Sequence, residues 1–117
     1  MDPWTQTFFD AHQKQRQEHG LPPLQWSSDL ALKADQHCQA MVSSDTPSHG
    51  LVPSNGFQNV LQGRLNFVRK PEKSIEMWLQ DAGHRRPILD PAITRIGGTH
   101  RINPNNNNVY VCCNYSI

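Results

Sequence analysis

The chain has 117 residues, 36% of them hydrophobic and 18% charged, with 11 Lys and Arg against 10 Asp and Glu for a formal net charge of +1. That length bounds a single domain over residues 1–117 with a core of useful size, and the apolar fraction is high enough for folding. The near-neutral balance excludes an electrostatic case for nucleic acid or an anionic membrane, and the short apolar runs exclude a membrane-spanning helix.

The opening "MDPWTQ" has neither the basic nor the apolar region of a secretion leader, so the chain is either cytosolic or begins after a leader has been removed. Its first helix is expected with Asp2 as N-cap, Pro3 at the first helical position and Gly20 as the stop. Trp4, Phe8, Ala11 and His12 follow helical spacing and mark the inner face. Pro22 and Pro23 in "LPPLQW" cannot continue a helix and set an extended turn. Ser27 or Ser28 then caps a second helix whose inner face is Leu30, Ala34, Cys38 and Met41. From Asp45 to Gly63 the sequence reads as loop. A third helix is expected from about Pro71, packing Ile75, Trp78 and Leu79 and ending at Gly83, followed by a turn through "HRRPILDP".

Two strands close the chain, "TRIGGTHRI" and "NVYVCCNYS", joined as a hairpin by the asparagine-rich "NPNNNN". The last strand carries Val109, Val111 and Cys113 on one face and Tyr110 and Cys112 on the other, so both faces must be covered. This implies an α+β fold, a three-layer α-β-α sandwich with a small antiparallel sheet between helices.

Three cysteines, Cys38, Cys112 and Cys113, have no CxxC spacing, which removes a zinc knuckle and a thioredoxin-type redox pair. Adjacent strand residues point to opposite faces, so Cys38 can bridge to Cys112 or to Cys113 but not to both; three buried free thiols are the alternative. The sequence also holds an Asn114-Tyr115-Ser116 sequon on the final strand, and no nucleophile elbow or P-loop.

His49 and His84 sit in glycine-bearing segments beside expected helices, where an imidazole can turn into a cleft. The segments "FFDAHQKQRQEHGLPPLQWSSDLALKADQ", "SHG", "GFQNV", "SIEMWLQDAGHRRPILDPAITRIGG" and "VYVCCNYS" together resemble the CAP superfamily of cysteine-rich secretory proteins, antigen 5 and pathogenesis-related 1 proteins. The resemblance runs over nearly the whole chain and implies an α-β-α sandwich with a central cleft of two histidines and two acidic residues. Carried over, it assigns the "SHG" histidine to His49, the helix glutamate of "IEMW" to Glu76 and the histidine of "GHRR" to His84. Gln58 stands where the family's "GEN" segment has glutamate, with Phe57 as an insertion, and Gln13 replaces the asparagine of "HN..R" while His12 and Arg16 are retained. A glutamine accepts a hydrogen bond but cannot carry charge or act as a base.

The resemblance therefore implies an exported binding module, in a defence, signalling or host-interaction role, whose cleft of His49, Gln58, Glu76 and His84 binds a divalent metal, zinc, through His49, His84 and Glu76. The odd number of thiols weighs against export. Two alternatives are a lipid or sterol carrier and a metal-dependent hydrolase or protease with Glu76 as base; Gln58 disfavours the last and leans the reading away from an enzyme. An extracellular protein partner fits the first reading.

Overall fold

Asp2 starts helix α1 (Pro3–Glu18) by accepting the Thr5 N–H at 2.9 Å, and Gly20, at φ +67°, turns the chain out of it. The computed structural model describes residues 1–52 and 55–117; Pro53 and Ser54, within the segment read as loop, lie outside the described residues. Trp4, Phe8, His12 and Arg16 form the buried stripe of α1, while Ala11 is only half-buried. Arg16 is 1% exposed, and its guanidinium donates to the carbonyls of Pro22, Ile88, Asp90 and Ile93 at 2.7–3.3 Å. Gln13 exchanges two 2.8 Å hydrogen bonds with the backbone of Leu24, so α1 also fixes the proline segment.

That segment is more than a turn. Gln25–Trp26 (β1) pairs parallel with Arg95 and Ile96, adding a short edge strand to the sheet. Helix α2 (Ser28–Ser44), capped by Ser27, buries Leu30, Ala34, Cys38 and Met41 as expected. The stretch read as loop contains a full strand, β2 (Gly56–Gly63), antiparallel to the final strand along its whole length. Its alternation is hidden because consecutive polar residues, Gln58 and Asn59, are both buried, one on each face.

Short helix α3 (Asn66–Arg69) leads to α4 (Glu72–Trp78) and then α5 (Ala82–Leu89). The expectation of one helix ending at Gly83 is corrected here. Helix α4 already ends at Trp78 with Leu79 as its cap, and Asp81 caps the next helix, accepting the His84 N–H at 2.9 Å, so Gly83 lies inside α5 and "HRRPIL" is helical. Strands β3 (Arg95–Ile102) and β4 (Val109–Ser116) form the expected hairpin, and the sheet order is β1-β3-β4-β2. The three long strands are antiparallel; only β1 is parallel.

Every residue of β4 is buried. Val109, Val111, Cys113 and Tyr115 pack with Trp4, Phe8, Ile75, Trp78 and Ile88 from α1, α4 and α5. Tyr110 and Cys112 pack with Ala34, Cys38 and Met41 of α2. These are the three layers. Gly97 and Gly98 let both outer layers touch β3: a Cβ on Gly97 would stand 2.3 Å from the Ala31 backbone nitrogen, and one on Gly98 would stand 2.8 Å from the Phe8 ring. The hairpin turn is anchored to the left-handed residue ending α2, because the Asp45 carboxylate accepts from the amides of Asn103, Asn106 and Asn108 and from the Tyr110 hydroxyl at 2.7–3.2 Å.

Candidate functional site

His49 lies on the segment that follows α2, and its imidazole is exposed. The backbone on either side of it is held. His37 of α2 donates from Nε2 to the Ser48 carbonyl at 2.6 Å, and its ring occupies the space a side chain at position 50 would need, with a Cβ there 2.4 Å from Nδ1. Glycine is what lets this turn lie on α2. The Gly50 N–H then reaches Gln58 Oε1 at 2.8 Å.

Gln58 is 8% exposed, and its amide is used at both ends, because Nε2 donates to Asn114 Oδ1 at 3.0 Å. A glutamate could accept from Gly50 but has no proton to give Asn114. The residue that departs from the family pattern is thus fitted to its surroundings as an amide. Its neighbour Asn59 faces the other way and donates to the His84 carbonyl at 2.8 Å. Consecutive residues of β2 therefore grip the backbone beside His49 and at His84.

His84 occupies the first turn of α5, with its side chain 39% exposed. Its Nδ1 stands 2.6 Å from Asp81 Oδ2 while its own N–H binds Asp81 Oδ1, so one carboxylate caps the helix and orients the ring. These two bonds, the backbone one first, hold the Asp81 carboxyl below its ordinary range. With Nδ1–H directed at Asp81, the Nε2 lone pair of the ring is left free to accept. Asp81 was not singled out in the sequence, although Asp three residues before His is the spacing of a helix cap.

Glu76 is exposed on α4, whose Ile75 and Trp78 are buried. The carboxylate paired with His84 is Asp81, not Glu76. Among the described residues, no group of three or more His, Cys, Asp or Glu side chains stands close enough to hold a metal ion. The structure thus ties His49 and His84 to one strand and does not gather the three expected ligands into a cage.

The thiols are free. Cys38 donates to the carbonyls of Tyr110 at 3.5 Å and Thr99 at 3.7 Å, and the bridge to Cys112 or Cys113 is not formed. Cys112 shares the α2 layer with Cys38, whereas Cys113 lies in the opposite layer. Burial pushes the Cys38 thiol up to about 12 and the other two upward as well, which leaves all three unreactive. Asn114 of the sequon is 1% exposed, and its amide donates to the Leu30 carbonyl, so the folded chain offers no acceptor. Apart from the two histidines, a groove of about 690 Å³ runs between α2 and the following segment, lined by Lys33, His37, Ala40, Gly50, Leu51 and Val52.

The family model for cysteine-rich secretory proteins (CAP) matches residues 9–115. The chain is 30% identical to the uncharacterized protein YkwD of Bacillus subtilis, over 71% of this chain and 37% of that protein, so it spans well under half of that relative. It is 28% identical to pathogenesis-related protein 1B of Nicotiana tabacum, covering 94% of this chain and 73% of the tobacco protein. In fold it is similar to an extracellular protein containing an SCP domain from Bacillus anthracis, with TM-score 0.78, 20% identity and coverage of 97% of this chain and 40% of that one. It is also similar to NaASP2, solved with Zn2+, with TM-score 0.76, 12% identity and coverage of 98% and 80%.

Proposed function

This chain belongs to the cysteine-rich secretory protein family, and from that premise we propose that it is an exported binding module whose cleft holds a divalent metal, zinc, between His49 and His84. The observation that carries the reading is the grip of consecutive residues: Gln58 holds the Gly50 N–H and Asn59 the His84 carbonyl, which fixes both histidine-bearing segments at one point of β2. Asp81 supplies the carboxylate-to-imidazole contact that metal-bound histidines commonly have, leaving Nε2 of His84 to ligate. Three protein ligands with water in the fourth position would make an open, exchangeable site rather than a closed structural one. Glu76 is the candidate third protein ligand. Similarity to NaASP2, solved with Zn2+, supports the choice of metal, and the extracellular and pathogenesis-related relatives support export and a defence or host-interaction role.

Calorimetric titration with zinc at pH 7.5 tests it. Saturable heat is expected, weaker at pH 5.5 because protonated imidazole cannot ligate, and lost when His49→Ala and His84→Ala are combined. Heat unchanged by the two substitutions would sink the reading. Glu76→Gln measured beside it shows whether that carboxylate takes part.

The groove supports a second reading, as a lipid or sterol carrier. Its volume of about 690 Å³ is that of a small-molecule site, and Leu51, 96% exposed, stands at it. Mass spectrometry of the purified protein should then find co-purified lipid, reduced by Leu51→Asp.

A further inference from the structure

Two chains of hydrogen bonds cross the sheet, and each ends beside one of the two histidines. On the α2 face, the Leu30 carbonyl accepts from Asn114 Nδ2 at 3.2 Å, Asn114 Oδ1 accepts from Gln58 Nε2 at 3.0 Å, and Gln58 Oε1 accepts the Gly50 N–H at 2.8 Å. On the α1 face, the Phe8 carbonyl lies 3.0 Å from His12 Nδ1, and His12 Nε2 lies 2.8 Å from the Tyr115 hydroxyl. Asn59 Nδ2 then spans the Tyr115 oxygen at 3.3 Å and the His84 carbonyl at 2.8 Å.

The polarity of the second chain is forced. A carbonyl only accepts, so Nδ1 of His12 carries the proton and Nε2 must accept. The Tyr115 hydroxyl therefore donates to His12 and turns a lone pair toward Asn59, whose two amide protons go to Tyr115 and to His84. The first chain is equally determined, because Gln58 cannot flip its amide without losing both bonds. The links are consecutive residues in each strand, Asn114 with Tyr115 and Gln58 with Asn59, so one step along a strand changes the face.

We propose that Asn114 and Tyr115 are positioning residues for the two histidines. Asn114 sets the His49 segment through Gln58, and Tyr115, oriented by His12, sets the His84 turn through Asn59. The proposal rests on reading His49 and His84 as the working pair of the cleft; it does not require that zinc be the ligand.

The test is imidazole 15N–1H spectroscopy of the metal-free protein, followed by zinc titration of the same samples. Tyr115→Phe removes one hydroxyl and keeps the ring. It should move the His84 ring resonances and leave those of His49. Asn114→Leu, or Asn114→Ala if the first does not fold, should do the reverse. Either lesion should weaken zinc binding about tenfold, the scale of outer contacts at metal sites. Substitutions that lower the melting temperature while both rings keep their wild-type spectra would overturn the proposal and leave the chains as scaffold. Wild-type rings that ignore zinc but still respond arm by arm would remove the metal reading and keep the positioning.

Discussion

The two faces of the sheet do the same work with different materials. On the α2 side the link from helix to histidine segment is made of amides, Asn114 and Gln58, which stay neutral at every pH. On the α1 side it runs through His12 and Tyr115, both fully buried. Burial holds His12 down to about 4, with the Arg16 charge acting the same way, and raises the Tyr115 hydroxyl well above its usual range. One arm is indifferent to acid. The other depends on an imidazole staying uncharged.

The comparison breaks most severely at β3, where the two glycines separate the faces. Gly97→Ala pushes a methyl against the α2 backbone, which cannot yield, and should cost about 3 kcal/mol in urea denaturation. Gly98→Ala meets the Phe8 ring and the Cys112 carbonyl at 2.8 and 2.9 Å, and should cost less, about 1–2 kcal/mol. Equal losses would mean that the layers are equally compliant.

Acid should sharpen the difference next. The folded His12 titrates at about 4, below its ordinary 6.5, so the unfolded chain takes up the proton first as pH falls. Stability is then full above about 6.5 and declines down to about 4, by on the order of 3 kcal/mol. His100, lowered by burial, adds to the same trend. Asp2, Asp35, Asp45 and Asp81 are held below 3.8 by hydrogen bonds, so their contribution is present above that value and lost only as pH falls beyond it. His12→Gln should flatten the upper window in denaturation midpoints taken from pH 7 to 4.5, and an unaltered slope would remove His12 as its source.

At the His84 end, Asp81→Asn keeps a capping side chain but loses the charged partner of the imidazole. Zinc affinity should fall about tenfold with little change in helix content by circular dichroism. The smallest effect is expected from thiol reagents. Native protein should take up none on either face, and denatured protein should react at all three cysteines.

The hairpin, the capped helices α1 and α2 and their inner faces were legible because each rests on local periodicity and turn chemistry. Strand β2 was not, since Gln58 and Asn59 bury polar groups on both faces and erase the alternation. The break between α4 and α5 was misplaced because Gly83 outweighed the capping signal of Asp81. His49, Gln58 and His84 could be nominated from motifs; the side-chain contacts of Gln58 to the Gly50 N–H and of Asn59 to the His84 carbonyl could not. Glu76 was nominated from the family motif, and Asp81, the carboxylate that pairs with His84, was missed because a lone helix-cap residue carries no family signal. Neither hydrogen-bond chain could be read in advance, because the His12–Tyr115 pair lies 103 residues apart in the chain and the Gln58–Asn114 pair 56.

Asn114 serves the amide chain with its side-chain nitrogen, the very atom to which an oligosaccharide would be joined. A sugar there and a closed sandwich exclude one another. In a compartment with the transferase, glycosylation and completion of the sheet would race for the same atom, and a sugar-bearing chain could not close the α2 arm. Occupancy of that sequon would therefore record which event came first, turning Asn114 into a molecular clock for the entry of β4.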